Sequence, residues 1–114
     1  MSNPLALIVD DEPVVRESLE QWFGDEGYSV LVASNGKEAL EWLTGKTPSL
    51  VLLDISLPGM DGVETLRHIR TNPALRHLPV IALTAHAMTG DREKYIAAGF
   101  DDYVTKPIVD ESIL

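Results

Sequence analysis

The chain contains no cysteine. Disulfides, thiolate metal centres and thiol nucleophiles are excluded together, and the composition suits a cytoplasmic setting. Long apolar runs are also missing. The longest, such as Leu5–Val9 and Leu50–Leu53, reach about five residues, against the roughly 20 that a membrane span needs. The start, Met-Ser-Asn-Pro, has neither the basic residues nor the apolar stretch of a signal peptide. Basic residues are scarce: 9 Lys and Arg stand against 18 Asp and Glu, for a formal net charge of −9. Direct nucleic-acid binding is not expected of such a segment, because phosphate contacts need a basic footprint. There is no Gly-rich phosphate loop, since Gly59–Gly62 does not follow the G-x-x-x-x-G-K pattern. Internal repeats, linkers and low-complexity segments are absent as well.

What is present reads as one globular domain over residues 1–114, 45% apolar and 24% charged. Strand and helix signals alternate. Leu5–Val9 is a continuous apolar run, as in a strand buried on both faces of a parallel sheet. Pro13 suits a first helical turn, and Val15, Leu19, Trp22 and Phe23 recur at helical spacing until Gly24 and Gly27. Tyr28–Ala33 forms a second strand. Asn35 caps a second helix with Glu38 three residues on, and Ala39, Leu40 and Leu43 give it an apolar face. Leu50–Leu53 is a third strand, followed by a loop carrying Pro58, Gly59 and Gly62. Val63, Leu66 and Ile69 define a third helix that stops near Asn72-Pro73. Val80–Leu83 is a fourth strand, Asp91–Ala98 a fourth helix ended by Gly99, and Tyr103–Thr105 a fifth strand. A last helix begins near Asp110 and has room for one turn. This alternation predicts an α/β, doubly wound, five-stranded parallel sheet with helices on both faces. The strand order is not readable from pattern alone; 2-1-3-4-5 is the expected doubly wound order.

In open α/β sheets the chemistry sits beyond the carboxyl ends of the strands, at the switch point in strand order. There the sequence puts Asp10, Asp11 and Glu12 after strand 1, Asp54 after strand 3, Thr84 after strand 4 and Lys106 after strand 5. Crowded carboxylates share protons or bind a cation, and oxygen donors suit Mg²⁺. An Asp so flanked is a plausible carboxylate nucleophile. Each residue alone has a plainer reading. Asp-Asp before a helix is often only favourable charge at its N-terminus, and a single Asp ending a strand is often a cap. It is their joint placement on one sheet edge that points to a site.

Asp10-Asp11-Glu12, Leu53-Asp54-Ile55-Ser56-Leu57-Pro58-Gly59-Met60-Asp61-Gly62, Leu83-Thr84-Ala85 and Tyr103-Val104-Thr105-Lys106-Pro107 resemble the receiver domains of two-component response regulators, over nearly the whole chain. The resemblance implies a flavodoxin-like fold and a phosphoacceptor switch rather than an enzyme. Asp54 would take a phosphoryl group from a histidine of a kinase or phosphotransfer domain. Asp11 and Asp54 would ligate Mg²⁺ directly, with Mn²⁺ a substitute, Asp10 would act through water, and the Ser56 carbonyl would be a further ligand. Lys106 and Thr84 would contact the phosphoryl oxygens, joined by the Ala85 backbone N–H. Tyr103 would change rotamer as Thr84 moves. The output face would be the fourth helix, fifth strand and fifth helix, open to an output domain, a protein target or a second copy. Lys106-Pro107 is expected to be cis, aiming Lys106 into the site. His86 reads first as a solvated loop residue near the site; the alternative is that His86 and Ser56 control water access to the phosphoryl group. Trp22 and Trp42 read as core or rim packing, and His68 and His77 as surface residues. The chain reads as a free-standing regulator, or a part of a longer one or of a hybrid histidine kinase.

Three other readings compete. A small-molecule phosphatase working through an aspartyl-phosphate wants a second acid two residues after the nucleophile, where Ser56 stands. A flavodoxin-like cofactor binder wants a Ser/Thr/Gly-rich loop after strand 1, where the acids stand. A receiver-like scaffold that is never phosphorylated would lack some of the site residues, and all are present.

Overall fold

Strands and helices alternate along the chain in a computed structural model that describes residues 3–57, 59–85 and 90–106. The order is β1 (Leu5–Val9), α1 (Pro13–Asp25), β2 (Ser29–Ala33), α2 (Gly36–Leu43), β3 (Leu50–Asp54), α3 (Gly62–Thr71), β4 (Val80–Thr84), α4 (Asp91–Ala98) and β5 (Asp102–Thr105). All five strands join one parallel sheet in the order β2-β1-β3-β4-β5. This is the doubly wound, flavodoxin-like arrangement.

The continuous apolar runs exist because each strand is covered on both faces. Leu7 and Val9 of β1 pack with Val51, Leu53, Val80 and Ala82 against α2, α3 and α4. Ala6 and Ile8, the alternate residues, pack with Leu52 and Leu83 against Val15 and Phe23 of α1. Asn35 caps α2 by accepting the Glu38 N–H at 2.8 Å, and Asp61 caps α3 by accepting the Glu64 N–H at 2.8 Å. At the N-terminal ends of β4 and β5, Arg70 donates to the carbonyls of Gly99, Arg76 and Leu78 and pairs with Asp101 at 2.9 Å. Asp101 in turn accepts the Val80 N–H at 2.8 Å.

Some expectations need correction. Gly24 lies inside α1 and does not end it. The stop is Gly27, whose φ of +93° is a left-handed conformation that glycine adopts without a steric penalty. Tyr28 precedes β2 instead of opening it, while β3 and β4 end at Asp54 and Thr84 as expected. Trp22 is 56% exposed at the rim of an apolar groove beside α1. Trp42 is partly exposed and donates its indole N–H to the Val32 carbonyl at 3.0 Å. His68 and His77 are exposed. The expected last helix from Asp110, the Lys106-Pro107 peptide, His86 and Pro58 lie outside the described residues. No helix among the described residues is long and apolar enough to cross a membrane.

Candidate functional site

The parallel register delivers one residue from each of four strands to the same sheet edge. Asp10 follows β1, and its backbone N–H continues the ladder to the Ala33 carbonyl at 3.0 Å. Asp54 ends β3 opposite Leu83 of β4. Thr84 ends β4 opposite Thr105 of β5. The Lys106 N–H bonds the Thr84 carbonyl at 2.7 Å, which fixes where its side chain departs.

From there the Lys106 ammonium reaches three carboxylates. It donates to Asp54 Oδ2 and to Glu12 Oε1, each at 3.0 Å. Asp10 Oδ2 lies 3.1 Å away, within ion-pair distance but without the alignment of a hydrogen bond. Asp10 is 0% and Asp54 1% exposed. Their other oxygens are occupied by the chain itself. Asp10 Oδ1 accepts the Glu12 N–H at 2.8 Å, and Asp54 Oδ1 accepts the Ser56 N–H at 2.9 Å. The Arg16 guanidinium holds the Asp10 carbonyl at 2.7 Å.

The electrostatics follow from crowding. Burial pushes the Asp10 carboxyl above its ordinary value, and the Asp54 charge adds to this, while the Glu12 N–H and Lys106 pull the other way. Burial works against the Lys106 ammonium, yet its hydrogen bonds to Asp54 and Glu12 and its close approach to Asp10 outweigh that and raise its pKa above the usual lysine value. Lys106 is therefore a firmly held cation.

Asp10, Asp11 and Glu12 each offer an oxygen within 4.8 Å of the others. All are hard carboxylate donors, which suit Mg²⁺ or Ca²⁺ rather than softer metals. Asp10 Oδ2 is buried without a hydrogen bond. A buried anionic oxygen without a hydrogen bond is costly, and Lys106, the cation beside it, is shared with Asp54 and Glu12. The acids outnumber the one cation that touches them among the described residues. The site thus fits a divalent ion.

Of the residues expected from the sequence, Asp10, Asp54 and Lys106 meet directly. Asp11 is exposed beside them, and Ser56 and Ala85 are exposed in the turns after β3 and β4. Thr84 is buried. Tyr103 is half-buried, pairs with Ala82 in the sheet, and sets its ring 5.5 Å from that of Tyr95 in the core. Three contributors were not given roles from sequence. Glu12 was seen at the strand end but not as a partner of Lys106. Arg16, in the first turn of α1 and six residues beyond Asp10, gave no signal. Gly62 read as a turn residue, but it starts α3 against the Asp54 backbone, and a Cβ there would collide with the Asp54 carbonyl and Ile55 Cα. Its place in Asp61-Gly62, just before an apolar helical stripe, is the signal that could have found it.

Comparison with known proteins matches this arrangement. Residues 6–114 match the response regulator receiver domain model. The chain belongs to the response regulator receiver domain family. It is 41% identical to the response regulator Rre1 of Synechocystis sp. over 94% of its length, but covers 47% of that protein. It therefore spans about half the length of such relatives. It superposes on the N-terminal domain of a response regulator receiver protein from Methanoculleus marisnigri with a TM-score of 0.83 and 40% identity, covering 90% of this chain and 84% of that one. The receiver domain of the sensor histidine kinase PA1611 from Pseudomonas aeruginosa gives a TM-score of 0.83 and 34% identity, covering 98% and 92%; that structure holds a magnesium ion in its active-site cleft. This chain is a phosphoacceptor switch domain of two-component signalling.

Proposed function

We propose that residues 1–114 act as one receiver unit in which Asp54 is the phosphoacceptor, loaded from a histidine of a histidine kinase or phosphotransfer domain. One observation carries this reading: a carboxylate 1% exposed, at the carboxyl edge of a parallel sheet, held 3.0 Å from a lysine ammonium. In the transfer, an Asp54 carboxylate oxygen bonds to phosphorus. The P–N bond to the donor imidazole breaks, and its electron pair returns to the ring nitrogen.

The chain's own groups orient this step. Ser56 N–H and Lys106 grip the two Asp54 oxygens, so the carboxylate faces the cleft in one rotamer. Lys106 then follows the charge to the phosphoryl oxygens, and the Thr84 hydroxyl and Ala85 N–H donate to the same group. Asp10, Asp11, Asp54 and the Ser56 carbonyl would hold Mg²⁺, and Mn²⁺ substitutes on the same oxygen donors. The ion supplies charge neutralisation between the carboxylate and the incoming phosphoryl group. The support for it in this chain is the Asp10 oxygen buried without a hydrogen bond, in a cluster of carboxylates that share one lysine among the described residues.

Movement of Thr84 is proposed to be read out by Tyr103, which pairs with Ala82 of β4 and sets its ring 5.5 Å from that of α4 residue Tyr95. The output face includes α4 and β5, where Ile96 and Val104 are each 42% exposed. A protein target, an output domain or a second copy of the chain would bind there, in the cytoplasm. The domain assists its own phosphorylation and dephosphorylation and turns over no other substrate. Nucleic acid and membrane are not its partners, given the net charge of −9.

The test is intact mass after incubation with Mg²⁺ and acetyl phosphate, beside Asp54→Asn. One phosphoryl addition, lost in the variant and with EDTA, is expected. Addition that persists in Asp54→Asn would reassign the acceptor, and no addition in either would leave a receiver-like scaffold.

A further inference from the structure

Glu12 stands apart from the other acids of the site. It occupies the N-cap position of α1, yet its side chain caps nothing there. Its carboxylate reaches across to Lys106 Nζ at 3.0 Å, a contact 94 residues apart in sequence. A lysine ammonium has three N–H donors, and Lys106 has three carboxylates around it, at 3.0, 3.0 and 3.1 Å. Two of its donors are given to Asp54 and Glu12, and the contact an incoming phosphoryl oxygen replaces most readily is the more exposed of the two. Asp10 and Asp54 are fixed at strand ends and essentially buried, whereas the Glu12 side chain is 59% exposed on a flexible stem.

We propose that Glu12 is a positioning residue that tethers Lys106 before phosphorylation and is the tether exchanged for the phosphoryl group. This rests on Asp54 being the acceptor. The tether works against the forward step in two ways. It occupies the donor that the phosphoryl oxygen takes, and it leaves a second negative charge beside that oxygen. It also sets the starting point: with Glu12 engaged, Lys106 is held over Asp54 instead of extending into solvent. The residue therefore tunes how fast the switch charges without touching the bonds that change. With acetyl phosphate those are the new bond from an Asp54 carboxylate oxygen to phosphorus and the P–O bond to the acetyl group, whose electron pair leaves on acetate.

The experiment compares wild type with Glu12→Gln at saturating Mg²⁺, following phosphorylation by acetyl phosphate. The variant is expected to charge roughly two- to fivefold faster, the range a half-exposed charge pair supports. The gain should fade at high salt, where a contact open to solvent on one side is screened. A packing role would show no such salt dependence. A second readout needs no phosphorylation: in metal-free protein, acylation of Lys106 by an N-hydroxysuccinimide ester, located by peptide mass, should be faster in Glu12→Gln. An equal or slower charging rate, or unchanged Lys106 labelling, overturns the tether. A wild-type chain that takes no phosphoryl group at all instead sinks the Asp54 reading, and the tether's role in charging with it.

Discussion

Replacing Lys106 by Met keeps the length of the side chain and removes its charge, and the structure sets what this should cost. The ammonium serves Asp54 and Asp10, which are 1% and 0% exposed, as well as Glu12. The Glu12 contact is largely solvated and contributes under about 1 kcal/mol. The two buried carboxylates dominate. Removing the partner of a buried charge costs about 3–5 kcal/mol when the charge stays in place. Here there is an escape, because two neighbouring carboxylates can share a proton, so the lower end, about 3 kcal/mol at pH 7.5, is expected. At about 4 °C per kcal/mol for a domain of this size, the thermal midpoint falls by roughly 10–15 °C. The sign with pH is fixed. Without Lys106 the folded state binds a proton more readily than the unfolded chain, so stability is recovered as pH falls and lost as pH rises. Urea unfolding of both proteins in EDTA, at pH 7.5 and pH 5, measures this. A variant as stable as wild type at pH 7.5, or a deficit that does not shrink at pH 5, would refute the reasoning.

Two further outcomes follow from the same geometry. Gly62→Ala drives a methyl group into the Asp54 carbonyl and Ile55, so about 1–3 kcal/mol should be lost, with slower charging by acetyl phosphate; urea unfolding and intact mass check the two effects. The Lys106 ammonium has a raised pKa in the fold, so its contribution is fully present below the ordinary lysine value of about 10.4 and is lost as pH climbs through the higher folded value. Wild type should therefore lose stability more steeply than Lys106→Met once pH exceeds the ordinary lysine value of about 10.4, as read from thermal midpoints between pH 9 and 11.5.

Much of the fold was legible because its signals are local. Leu5–Val9, Leu50–Leu53 and Val80–Leu83 are uninterrupted apolar runs, and each is a strand covered on both faces. Asn35 with Glu38 announced the start of α2 through a cap that the chain makes within three residues. Gly24 misled because glycine in a helix and glycine past its end look alike in sequence; only the backbone sign at Gly27 separates them. The site was legible as a set of strand-end residues, since a parallel sheet with both faces covered leaves one productive edge. Its inner wiring was not. Arg16 on the Asp10 carbonyl and Glu12 on Lys106 are reaches by long side chains, whose targets depend on rotamers and on neighbours far along the chain.

Arg70 has a bearing on how the molecule breathes. It fastens the segments that lead into β4 and β5 at the pole opposite the acids, through three carbonyls and Asp101. At the acidic pole, among the described residues, the fastening is electrostatic: like charges press apart around Lys106, with Arg16 on the Asp10 carbonyl. Opening fluctuations should therefore start at the acidic rim and run out before they reach Arg70. Amide protons of Val80 and Phe100 would outlast those of Ser56 and Lys106 in deuterated solvent. Bound at one pole by Arg70, the domain is expected to part first at the other, as a book opens away from its spine.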